Sequence, residues 1–141
     1  MEKILEVGSH RYIIGLDWNP LSGADPLLAA RTLAKSRNSP MGLLRTVADS
    51  DGHVAHQVGL ANKKVKGAIL AGAAHIATIS ESAIAISRLG GDLFWLCITD
   101  NGRVLPGFDK IGSDSEISKA VTEFLEEYQL AYMQLLMTRD V

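Results

Sequence analysis

Four histidines, one cysteine and a handful of acids are the side chains of this sequence that could do chemistry, and their spacing argues against most of it. His10, His53, His56 and His75 are scattered. His53 and His56 stand three apart, on opposite faces of an ideal strand, and no Cys or acid completes a tetrahedral set at zinc-like spacing, so no metal site is expected. His75 lies in an alanine-rich segment with no pattern to orient its second ring nitrogen, and reads as a helix residue rather than a general base. Gly67-x-x-x-x-Gly72 runs into Ala73-Ala74 where a P-loop needs lysine and a hydroxyl, and Gly90-Gly91 runs into acidic Asp92. No serine sits in Gly-x-Ser-x-Gly, and Cys97 has no local His or acid. Asp17 closes an early strand, where a carboxylate could serve a phosphate site. The residues after it, Trp18-Asn19-Pro20-Leu21, put an indole and a ring-locked proline where small residues would let phosphate reach backbone amides. No catalytic, cofactor-binding or metal-ligating residue is therefore assigned. Asp17 reads as a strand-end carboxylate and Trp18 as a core or interface aromatic.

The elements that must position these residues alternate strands and helices. Ile4 to Val7 and Arg11 to Trp18 read as strands around a Gly8-Ser9 turn, with Asn19-Pro20 ending the second. Asp25 followed by Pro26 opens a helix to about Ser36, with Leu27, Arg31 and Ala34 sharing a face that Leu28 and Leu33 broaden. Met41 to Val47 and His53 to Gly59 form a second strand pair around Asp49-Ser50-Asp51-Gly52. Lys63, Lys64 and Lys66 make a basic surface segment before a helix expected from Gly67 to Thr78. Ser82 to Leu89 and Leu93 to Thr99 are strands about Gly90-Gly91. Asn101-Gly102 is the strongest hairpin signal, with a return strand Arg103 to Leu105 stopping at Pro106. Ser113 and Glu116 form a capping box for a C-terminal amphipathic helix whose apolar face runs through Ile117, Ala120, Val121, Phe124, Leu125, Tyr128, Ala131, Leu135 and Leu136.

Bulk properties agree with one folded domain, drawn as residues 1–137 with 138–141 as a tail or the start of a linker. The 47% apolar and 21% charged content is that of a globular protein. A formal charge of -2 supplies no field for nonspecific phosphate-backbone binding, so nucleic acid is not an expected partner. No apolar h-region follows Met1-Glu2-Lys3, and the stretch Gly67 to Ser80 is too short for an ordinary spanning helix, so neither a visible secretion signal nor a membrane span is expected.

The run Arg11-Tyr12-Ile13-Ile14-Gly15-Leu16-Asp17-Trp18-Asn19-Pro20-Leu21, with its Gly-Leu-x-Trp-x-Pro-Leu pattern, resembles the opening of the PilO-type pilin accessory proteins of type IVb pili, the bundle-forming and toxin-coregulated pilus relatives. Leu93 to Ile98, then Asn101-Gly102-x-x-x-Pro106-Gly107-x-Asp109 and the helix from Ser113 to Tyr128, follow in the same order as in that family's cytoplasmic N-terminal region. The likeness spans roughly residues 4 to 128. The resemblance implies an α/β (mixed α+β) fold, a small mixed sheet with flanking helices similar to one subdomain of the actin and RNase H-like fold. It implies a noncatalytic scaffold or adaptor at the cytoplasmic face of the bacterial inner membrane, in contact with the pilus assembly ATPase and inner-membrane assembly proteins. An excised domain and a short family member fit it equally. Interaction residues on this reading are Trp18, Tyr128, Tyr132 and Met133. Two other classes stay open: a nucleotide-responsive ATPase-like domain with Asp17 and the Asn101-Gly102 turn flanking a phosphate pocket, and a self-associating module. In the latter, Leu130, Tyr132, Met133 and Met137 drive weak homodimerisation.

Overall fold

The computed structural model describes the backbone of residues 1–48 and 51–139 and the side chains of 1–48 and 51–128. The elements run β1 (Lys3–Val7), β2 (His10–Ile14), β3 (Asp17–Leu21), α1 (Pro26–Ser36), β4 (Met41–Ala48), β5 (Val54–Ala61), β6 (Leu70–Ala71), α2 (Gly72–Ile79), β7 (Ala83–Gly90), β8 (Leu93–Asp100), β9 (Arg103–Gly112) and α3 (Asp114–Arg139). The mixed α+β expectation holds, with the strands divided among three sheets of order β1-β2-β6, β3-β5-β4 and β7-β8-β9. The first of these is mixed, since β1 and β2 are antiparallel while β2 and β6 are parallel.

Local chemistry explains most boundaries. Gly8 at φ 62° turns β1 into β2, with Val7 opposite His10. Asn101 and Gly102 both have positive φ, 52° and 78°, as a type I′ turn between β8 and β9 requires. The Asp25 carboxylate accepts from the Leu28 amide at 3.0 Å and Pro26 opens α1. At α3 the capping box is complete: the Glu116 amide donates to Ser113 Oγ at 3.3 Å and the Ser113 amide to Glu116 Oε1 at 3.2 Å.

Four boundaries differ from the sequence expectation, each for a physical reason. The strand read from Arg11 to Trp18 breaks at Gly15, whose φ of 84° turns the chain out of the first sheet into the second, so Asp17 to Leu21 is a separate strand. Pro20 sits inside it opposite Gln57, tolerated because β3 is an edge strand paired only with β5. The second helix begins at Gly72, not Gly67: Gly67 is at φ 84°, and Leu70-Ala71 pair with Tyr12-Ile13 instead. The last strand continues through Pro106 to Gly112 across a large bulge. Val104 faces Thr99 and Asp109 faces Cys97, so residues 105–108 stand opposite Ile98 alone. The α1 helix buries Ala30 and packs Leu33 and Ala34 on Val58 and Leu60, while Leu27 and Leu28 are exposed. The Asp49-Ser50 half of the β4–β5 turn lies outside the described residues.

Strand β8 is the centre of the packing. Its Trp95 and Cys97 face a core shared with Ile13, Ile14, Leu16, Trp18, Ala73 and Ala77, while Leu96 and Ile98 face Ile117 and Phe124 of α3. Burial on both faces is why this strand reads as an unbroken apolar run. The second and third sheets are joined by buried Gln57 of β5. Its side-chain amide donates to the Val104 carbonyl at 3.0 Å and accepts from the Val104 amide at 3.2 Å, taking the place of a strand neighbour. Arg45 adds hydrogen bonds to Gln57 Oε1 and the Gly102 carbonyl.

Replacing Gln57 by leucine keeps the bulk but strips both partners from the Val104 backbone inside the protein. The expected loss is roughly 3 kcal/mol, because each orphaned buried polar group costs about 1–3 kcal/mol. Urea unfolding should show a lower midpoint with an unchanged slope.

Candidate functional site

Chemistry-bearing residues gather at two places, a buried carboxylate node and a surface groove. The node is built on Asp109, which the bulge in β9 aims inward. Its Oδ1 accepts from the Gly15 amide at 2.8 Å and the Trp95 indole at 2.7 Å; its Oδ2 accepts from the Leu16 amide at 3.1 Å and the Trp18 indole at 2.9 Å. The turn at Gly15 presents two successive amides to the acid. Gly59, opposite Trp18 on β5, leaves room for the ring: a Cβ there would stand 3.0 Å from indole carbons. Burial pushes the Asp109 carboxyl above its ordinary value, and the four hydrogen bonds work in the other direction.

A carboxylate offers about four lone-pair sites, and here four N–H donors fill them. Asp109 has no acceptor capacity left for a substrate proton, and all its partners are themselves fixed by the fold. Its arrangement is that of an internal clamp. Trp18, read from its sequence context as a core or interface aromatic and through the resemblance as an interaction residue, is 1% exposed, with its indole on the clamp. Cys97 pairs with Asp109 across the strands and is fully buried. Burial first, and the Asp109 charge second, push its thiol up to about 12.

Asp17 takes no part in the clamp's hydrogen bonds but lines the same polar cleft of about 500 Å³ as Gly15, Leu16 and Asp109, together with Arg37, Ser39, Asn62 and Lys110. Its carboxylate is bound by Arg37 at 2.6 Å, an exposed pair with the side chains 53% and 47% accessible. Asn101 and Gly102 do not line this cleft; Gly102 instead meets Arg45 and the Glu81 carbonyl. The two flanks of the nucleotide-pocket alternative are thus not brought together. Among the described residues no cluster of three or more His, Cys, Asp or Glu could hold a metal ion, and His75 is exposed and tilted against Tyr12.

The second place is the outer face of the third sheet. There α3 packs over β8 and β9, and a groove of about 460 Å³ opens between α3 and β7, floored by Ile84 and Ile98 and walled by Phe124, Leu125 and Tyr128. Phe108, Phe124 and Tyr128 form a ladder from core to surface, with ring centroids 5.4 and 6.5 Å apart. Tyr128 is 62% exposed and Ile86 on β7 is 53% exposed. So Tyr128, expected from sequence to meet a partner, borders an open apolar surface, while the side chains of Tyr132 and Met133 lie outside the described residues. Ile84 and Ile86 were missed. The signal was present in Ala83-Ile84-Ala85-Ile86, whose alternation places both isoleucines on one face of the strand. No helix among the described residues is long and apolar enough to cross a membrane. No protein-family model matches the chain, and no curated protein matches it either.

Two measurements probe the clamp. Asp109→Asn puts an amide NH₂ against two N–H donors whichever way it turns, and should cost roughly 3 kcal/mol or more, whereas Asp17→Asn, which breaks only an exposed pair, should cost under about 1 kcal/mol. Native Cys97 should be inert to Ellman's reagent at mildly alkaline pH, and its labelling should rise with urea along the unfolding curve.

Proposed function

We propose that this chain is a noncatalytic scaffold or adaptor domain of type IVb pilus assembly, working at the cytoplasmic face of the inner membrane and docking the assembly ATPase or other inner-membrane assembly proteins. The family part of the reading is supported by the Gly-Leu-x-Trp-x-Pro-Leu and Pro-Gly-x-Asp motifs, which come together in space at one clamp. The observation that carries the adaptor part is the open apolar surface of Ile84, Ile86, Leu125 and Tyr128; on the opposite face of the third sheet, the hydrogen-bonding capacity of the carboxylate node is spent internally. Large apolar side chains gathered on one exposed face mark an interaction site more readily than a catalytic one.

Titrating the chain with the cytoplasmic assembly ATPase of its own system tests the proposal. Tyr128→Asp, with folding checked by circular dichroism, should weaken binding by about tenfold or more, the range in which interface aromatics act. Tyr132→Asp and Met133→Asp extend the same test along α3. Undiminished affinity in all three folded variants would reject this face, and no binding by the unaltered chain would reject the ATPase as partner.

A further inference from the structure

The groove beside α3 has a definite width and a definite charge, and together they specify an occupant. Strands lie about 4.8 Å apart and a helix with its side chains is about 10 Å across, so one helix covers roughly two strands. In the third sheet α3 takes β8 and β9. The third strand, β7, is left uncovered on the same face, with Ile84 opposite Ile98 and Ile86 opposite Leu96, the two β8 residues that α3 packs against. The vacant strip is therefore one strand wide, and a second helix laid at the 8–10 Å spacing usual between packed helices would cover β7 and overhang the edge of the sheet. Its inner side would meet Ile84, Ile86 and Leu125, and its outer side would face water, which calls for an amphipathic sequence. The groove is lined by Asp100 and Glu127 and by no lysine or arginine. Asp100 accepts from the Ser82 hydroxyl at 3.1 Å, and neither acid has a cation within salt-bridge distance among the described residues.

We infer that this groove receives a basic amphipathic helix from another protein, its apolar side chains on Ile84, Ile86 and Leu125 and its lysines or arginines beside Asp100 and Glu127. A second copy of this chain is a poor occupant through α3, because that helix carries Glu123, Glu126 and Glu127 against the single Lys119 in its described turns and would bring acid to acid. The inference rests on the adaptor reading and names the chemistry of its partner.

Labelled model peptides of about fourteen residues, roughly four helical turns, supply the test. One places leucines at helical spacing with lysines elsewhere, one has the same composition in strict alternation, and one keeps helical spacing with glutamate for lysine. Fluorescence anisotropy should show saturable binding of the helical Leu/Lys peptide alone. Ile86→Asp and Tyr128→Asp should each weaken it by about tenfold or more, although both add negative charge and would strengthen nonspecific attraction. Leu125→Ser gives the same reading without added charge should an aspartate variant fail to fold. Equal binding of the glutamate peptide, tighter binding of the alternating peptide, or indifference to all three substitutions would overturn the inference. So would a concentration-dependent dimer abolished by Ile86→Asp in sedimentation, which would seat a second copy in the groove. Because the titration contains no pilus component, groove binding without ATPase binding would sink only the ATPase as partner. ATPase binding that survives an empty groove would sink only this inference.

Discussion

A single buried carboxylate holds the meeting point of the three sheets. Asp109 of the third sheet grips the Gly15-Leu16 bend where the chain leaves the first sheet for the second, and the same two oxygens orient Trp18 of the second sheet and Trp95 of the third. An acid taken out of water costs several kcal/mol before its partners are counted, so it adds less to net stability than its hydrogen bonds suggest. What it adds is direction: apolar packing alone would accept either indole in several rotations, and the acid accepts one. The bend, the bulge that aims Asp109 and the missing Cβ at Gly59 all follow from the need to bring four donors to one group. Three of these contacts join residues 91 to 94 apart in sequence.

Small sheets make such fastening necessary. Three strands bury little on their own, and here each sheet reaches stability through its neighbours. Gln57 works at the second joint as Asp109 does at the first, but with a neutral amide that copies the donor and acceptor of a backbone and so joins the second sheet to the third at Val104. Polar side chains stand at the seams and apolar ones fill the layers between. The helices then cover the outer faces unequally, α1 across β3, β4 and β5 and α3 on β8 and β9, and the strip along β7 is left bare.

Much of this was legible where the signal is local. The caps at Asp25 and Ser113, the turn at Asn101-Gly102 and the doubly buried β8 depend on residues within a few positions of one another, and sequence pattern found them. What it missed depends on contacts across the chain. Gly15 looks like an ordinary strand glycine until Asp109 draws its amide. Pro106 looks like a terminus because nothing local says that pairing resumes at Asp109. Trp18 was singled out for the right reason, an unusual aromatic in a distinctive motif, but its partner lay far along the chain, and an indole with a buried acceptor belongs inside. Tyr128 was found by helical periodicity, whereas Ile84 and Ile86 were passed over because a strand pattern does not reveal which face a helix will leave bare.

The four residues of β9 that stand opposite Ile98 act as a spacer that resets the phase of the strand. Side chains on a regular strand alternate between faces, which would put Val104 and Asp109, five positions apart, on opposite sides; the bulge breaks that alternation and brings both to the side of their partners Thr99 and Cys97, facing the core. Within this stretch Leu105 and Phe108 pack against the cluster under α3. The spacer thus lets one strand turn two residues an odd number of positions apart toward the same core, Val104 to the Gln57 joint and Asp109 to the indoles.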